Sequence, residues 1–94
     1  MNKEFYLIAF ASTQQAMCAE TYFKNNNANV KLIPLPSAIA SGCGFSIKIL
    51  PHIAENIKPL LQDAMFKDAK FYNLKKQSGN YLVSEWVFNN KKEN

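Results

Sequence analysis

The order of apolar and polar positions divides the chain into short periodic stretches. Phe5-Tyr6-Leu7-Ile8-Ala9-Phe10 is apolar at every position. That predicts a central strand from Glu4 to Phe10, covered on at least one side. Ala11-Ser12-Thr13 follows, and Ser12 or Thr13 supplies a helix N-cap. Ala16, Ala19 and Phe23 then recur at helical spacing, with Tyr22 at the edge of the stripe. The helix is expected to end at the run Asn25-Asn26-Asn27, because Asn tolerates left-handed geometry better than most residues. Asn29 to Pro34 reads as a second strand, stopped by Pro34 and Pro36. Residues Pro36 to Ala40 fit one short helical turn. Phe45, Ile47 and Ile49 alternate with Ser46 and Lys48, which predicts a third strand with one solvated face.

Pro51 opens a second helix with the apolar stripe Ile53, Ile57, Leu60, Leu61, Ala64 and Met65. Pro59 falls inside that stripe and implies either a kink or a helix start near Lys58. Phe71 to Leu74 is a fourth strand. Gln77-Ser78-Gly79-Asn80 has hairpin-turn composition, and Tyr81 to Phe88 is a fifth strand, apolar on both faces. The element order predicts an α+β fold. It is that of a ferredoxin-like βαββαβ antiparallel sheet with two helices on one face and an extra C-terminal strand. Residues 1–94 form one domain, in which 80–88 is the added strand and 89–94 a frayed tail.

Composition narrows the function classes. Nearly half of the 94 residues are hydrophobic, enough for a core. The net charge is +4, with surplus lysines in the pairs Lys75-Lys76 and Lys91-Lys92 rather than in a basic tract. No apolar run reaches the roughly 20 residues of a membrane helix. The N-terminus shows no cleavage-site pattern. With nothing pointing to an oxidising compartment, a cytoplasmic protein with free thiols is expected. The two cysteines, Cys18 and Cys43, lie in no CxxC pair and at no ligand spacing from a histidine, so neither a metal nor a cofactor is expected. His52, after Pro51, reads as structural or solvated. Cys18 lies off the centre of its helical stripe and reads as half-buried.

Ser41-Gly42-Cys43-Gly44 is the stretch that carries chemistry. Glycines on both sides of Cys43 leave its thiol accessible on a tightly turned backbone. In the expected topology the third strand lies beside the first. The start of the third strand, at Gly44, then meets the exit of the first strand into the helix at Ser12 and Thr13. A thiolate at a helix N-terminus is stabilised by unsatisfied N–H groups, and its pKa falls. The hydroxyls of Ser12 and Thr13 add hydrogen bonds. No charged side chain lies between Ser12 and Ala19 or between Pro34 and Ile47, and His52 lies at the other end of the third strand. The arrangement therefore lacks the Cys–His pair of a cysteine hydrolase. Thiol exchange needs only an accessible, low-pKa thiol.

The segments Leu32-Ile33-Pro34-Leu35-Pro36, Ser41-Gly42-Cys43-Gly44 and Phe45-Ser46-Ile47-Lys48-Ile49 together resemble a family of small bacterial proteins, the selenium/sulfur carrier protein-like family. The opening is similar too: a Phe-rich strand, then Ser/Thr, then a helix bearing Ala19-Glu20. The resemblance covers residues 5 to 70, and Tyr81 to Phe88 stands as an addition. It implies that Cys43 accepts sulfur or selenium as a persulfide or selenopersulfide in chalcogen transfer. It also implies a cysteine desulfurase-type donor and a downstream acceptor protein. Ser37 and Lys48 stand where the family pattern leads one to expect arginine.

On this reading the chain is a carrier or transfer protein rather than a stand-alone enzyme. Cys43 is the acceptor thiol, supported by Ser41, Gly42, Gly44, Ser12 and Thr13. The alternative is a non-enzymatic interaction or regulatory module, dimeric through the C-terminal strand. A third reading, single-stranded nucleic acid stacked on Tyr6, Phe71 and Tyr72, is set aside, because those residues read as core. Neither a nucleic-acid nor a membrane partner is expected.

Overall fold

In the computed structural model, residues 3–39 and 44–87 are described. Five strands form one antiparallel sheet: β1 (Lys3–Ala9), β2 (Lys31–Pro34), β3 (Phe45–Ile49), β4 (Lys70–Gln77) and β5 (Asn80–Glu85). Their order across the sheet is β2-β3-β1-β4-β5. Helix α1 (Thr13–Asn25) connects β1 to β2, and helix α2 (Pro51–Ile57) follows β3. β1 therefore lies between β3 and β4, with Ile8 opposite both Ile47 and Phe71.

The alternation of β1 explains its composition. Ile8 and Phe10 point into a core built with Ala16, Ala19 and Phe23 of α1, Ala54 and Ile57 of α2, and Ile47 and Ile49 of β3. Phe5 and Leu7 point the other way, into a second cluster with Leu74 and Ile39. A strand buried on both faces needs apolar residues at successive positions, and β1 has them. Phe23 is the largest fully buried side chain of α1. Burying such a ring is worth about 1.5–3 kcal/mol.

The expected helix α1 is present, and Ser12 is its N-cap. Its end is as the asparagine run predicts: Asn27 takes a positive φ of 61°, and the N–H of Ala28 donates to the Phe23 carbonyl at 2.8 Å. Pro59 divides the second helical region. α2 stops at Ile57, a 3-10 segment runs from Lys58 to Gln62 with the proline in its first turn, and another spans Ala64–Phe66. Both prolines thus sit near helix starts, where no N–H is required. Met65, assigned to the apolar stripe, is exposed, because the change to 3-10 geometry rotates it out.

Three expectations change. The third strand has no freely solvated face: Ser46 is fully buried, and its hydroxyl donates to the Ile33 carbonyl at 3.4 Å. The reason is the second cluster, to which the segment after β2 delivers Ile39. Residues 36–39 form a hydrogen-bonded turn, Ile39 N–H to Pro36 carbonyl at 3.0 Å, rather than a helix. The fifth strand ends at Glu85 and is largely exposed instead of buried on both faces, since it is the sheet's edge. Beyond it Trp86 turns into the helix-side core, its ring against Tyr6 at 4.5 Å and Phe71 at 5.9 Å, and its backbone N–H donates to the Phe71 carbonyl. The β4–β5 connection is a two-residue turn with positive φ at Ser78 and Gly79, the signature of a type I′ hairpin. The expected tail at 89–94 lies outside the described residues. No helix among the described residues is long and apolar enough to cross a membrane.

Candidate functional site

Of the residues assigned to the thiol site, Ser12, Thr13 and Gly44 are described, whereas Ser41, Gly42 and Cys43 lie outside the described residues. The described part has a defined frame. Ala9 pairs with Ser46, so the exit of β1 toward Ser12 and the start of β3 after Gly44 share one end of the sheet. Leu35 N–H donates to the Gly44 carbonyl at 2.8 Å. The chain therefore leaves β2 and rejoins β3 at a single hydrogen-bonded point.

Gly44 has φ +100°, a region that L side chains rarely adopt, and a Cβ built there would meet nothing within 4 Å. The glycine is required by backbone angle and not by crowding. It turns the chain sharply into β3 immediately after position 43.

The helix start is polar, exposed and uncompensated. Ser12 is extended, with φ −141° and ψ 155°, and its Oγ accepts the Gln15 N–H at 3.2 Å. Its hydroxyl proton remains available to donate outward. Thr13, the first helical residue, is exposed. The first turn of α1 contains no acidic residue, so no carboxylate offsets the positive end of the helix.

A shallow hollow of about 470 Å³ opens beside this helix start, lined by Ser12, Gln14, Gln15, Cys18 and Met65. Cys18 is exposed and free, not half-buried. It sits about 9 Å along the helix axis from Ser12. The stripe Ala16, Ala19 and Phe23 faces the sheet, so Cys18 falls on the flank with Gln14 and Gln15. That placement follows from i, i+3 and i+4 spacing, a signal that distance from the stripe's centre does not carry. His52, in the first turn of α2, is exposed. It lies past the far end of β3, whose start is Gly44's neighbour.

No curated protein and no solved structure gives a significant match to the chain. A family model does match, over residues 5–73. That span runs from the first strand into the fourth and includes the loop that bears Cys43. It stops before the β5 hairpin strand. By this match the chain belongs to the family described as "Putative Se/S carrier protein-like".

Proposed function

We propose that the chain carries sulfur or selenium on Cys43. The observation that carries this reading is the family membership, whose matched span encloses Cys43, together with the positive-φ Gly44 that follows it. We infer further that the fold is ferredoxin-like with one strand added. The order of strands and helices, with β3 beside β1, supports this.

The step is thiol exchange. The Cys43 thiolate attacks the terminal sulfur of a donor persulfide, R–S–SH. The donor's S–S bond breaks, a new S–S bond forms on Cys43, and R–S⁻ leaves as the thiolate. Sulfur passes at unchanged oxidation level, so no external oxidant is needed. A donor R–S–SeH gives Cys43–S–SeH in the same way. Ser12, Thr13 and the N–H groups of the first turn of α1 would favour the thiolate over the thiol. When a downstream acceptor thiolate attacks the outer sulfur of the Cys43 persulfide, the S–S bond breaks and the same setting would favour departure of the Cys43 thiolate.

The test uses reduced protein, a cysteine desulfurase and cysteine, followed by intact mass and fragment mapping. One added sulfur atom at Cys43, absent from Cys43→Ser and removed by dithiothreitol, is the expected result. An unmodified Cys43 under conditions that load an established acceptor refutes the proposal.

One observation favours a second reading, an interaction module that pairs through its edge. β5 is the outermost strand and carries Leu82, which is 55% exposed. A concentration-dependent dimer that Leu82→Lys abolishes, with Cys43→Ser behaving as wild type in cells, would select this reading.

A further inference from the structure

The face of the sheet turned away from the helices carries more positive charge than the fold can use. Lys31 and Lys48 are direct cross-strand partners, as are Lys3 and Lys76. All four belong to the face of Ile33, Phe5 and Leu74, by strand alternation. Like charges directly opposite destabilise a sheet. None of these lysines forms an ion pair among the described residues, whose salt bridges, Lys24–Glu20 and Lys58–Glu55, are both local pairs on the helical segments. Glu4 belongs to the other face, where it accepts a hydrogen bond from Asn73 at 2.8 Å.

The four lysines come from four adjacent strands, β2, β3, β1 and β4. A groove of about 600 Å³ is lined by Lys3, Lys48 and Lys76 with Phe5 and Tyr81; Glu4 is the one carboxylate in its lining, with Oε2 held by Asn73. A smaller hollow shares Lys48 and extends it to Lys31. Lys48 reaches over the Phe5 ring, its Nζ 4.7 Å from the ring centroid, which aims the ammonium into the groove. Tyr81 stands edge-on to Phe5 at 5.6 Å and is 41% exposed. Lys48 lies opposite Leu7, so the Lys31–Lys48 pair stands four residues, about 13 Å, along β1 from the Lys3–Lys76 pair, and the two pairs make a two-point track for a chain of repeated anions.

We propose that this face binds single-stranded nucleic acid, with its phosphates on Lys31, Lys48, Lys3 and Lys76 and a base stacked on Tyr81. A polyanion relieves the two Lys–Lys repulsions, and an exposed ring at the end of a basic track suits a base better than a carboxylate chain. The surface differs from the aromatic set that the sequence suggests for such a role, since Tyr6 and Phe71 pack into the helix-side core. It also lies apart from Gly44 and Ser12, which are at the opposite end of β1 from Lys3.

The experiment is fluorescence anisotropy of labelled oligo(dT) and oligo(U) with the full chain at several salt concentrations. Saturable binding with a log–log salt slope of roughly −3 is expected from four phosphate contacts. Lys48→Gln/Lys76→Gln, which keeps the side-chain stems, should bring the slope to roughly −1.4. Tyr81→Ala should weaken binding about tenfold without changing the slope. Lys24→Gln/Lys67→Gln, with the same loss of net charge, should bind as wild type. Circular dichroism checks that each variant is folded. Absence of saturable binding at low salt overturns the proposal, as does equal loss in the Lys24/Lys67 variant. Equal competition by poly-glutamate with no effect of Tyr81→Ala also overturns it, in favour of an acidic protein partner. A difference between oligo(dT) and oligo(U) identifies which nucleic acid the face prefers.

Discussion

Replacing Gly44 by alanine separates backbone angle from packing. A Cβ at this position meets no atom within 4 Å, so no steric clash with the fold arises. The cost is local: holding an L residue at φ +100° is worth about 1–3 kcal/mol. Alanine also reduces the freedom of the unfolded chain, which offsets about 0.4–1 kcal/mol. A net loss of about 1–2 kcal/mol follows, or a fall in Tm of roughly 4–16 °C for a domain of this size. D-alanine reverses the sign, because positive φ is ordinary for that enantiomer while the unfolded-chain term remains. The chain suits this comparison, since a junction between Gly42 and Cys43 permits native chemical ligation of synthetic segments. The assay is urea unfolding followed by Trp86, the sole tryptophan, buried at 7% exposure. With L-alanine in place of Gly44 the midpoint should shift down, and with D-alanine slightly up, at unchanged m-values. Equal destabilisation by both enantiomers would mean that the constraint at Gly44 is spatial, and would refute an origin in backbone angle.

Three further outcomes are expected. Ser12→Ala should cost about 1 kcal/mol by removing the acceptor of the Gln15 N–H, whereas Ser12→Asp keeps the cap; if Cys43 lies at the helix start, pH-dependent alkylation should show its pKa raised in the Asp variant. Phe23→Ala should cost about 3–5 kcal/mol by opening a cavity among α1, Phe66 and the sheet, a large part of a small domain's stability, seen as a collapse of the urea midpoint. Partial burial, reinforced by the Asp63 carboxylate, holds the Tyr22 phenol above its ordinary 10.0, and its hydroxyl donates to the Leu60 carbonyl at 2.9 Å. The unfolded chain then loses this proton first. The stability Tyr22 contributes is complete below pH 10 and is lost as pH rises through the higher folded value. Comparing wild type with Tyr22→Phe should show a gap of about 1 kcal/mol at neutral pH that closes above pH 10.

The elements most legible in the sequence were those whose burial pattern is set by a single partner. The stripe Ala16, Ala19, Phe23 meets only the sheet, so its period reports its environment directly. Gln77-Ser78-Gly79-Asn80 is a turn for reasons internal to those residues. Ser46 misled because alternation tells which side a residue faces and not what lies there. Its side is covered by Ile39, which a turn brings over the sheet from outside β3. Pro59 left two readings open, and the observed change to 3-10 geometry is a compromise between them that rescues Leu61 and Phe66 for the core. At the candidate site, the Ser12 cap and the meeting of the β1 exit with the β3 start were readable from local chemistry and topology. The lysine pairs were not, because Lys31 and Lys48 become neighbours only through the β2–β3 register.

The position of β1 also bears on how the protein is made. Its apolar residues alternate onto two faces, and it is flanked by β3 and by β4, which ends at Gln77. On a ribosome the first strand emerges long before its second neighbour is synthesised. Until then its open edge and both greasy surfaces have no permanent cover, and the pairing that closes them spans most of the sequence. The sheet therefore cannot close around β1 until β4 has been made. Both cysteines are made before β4, so each exists for a time without the finished fold around it.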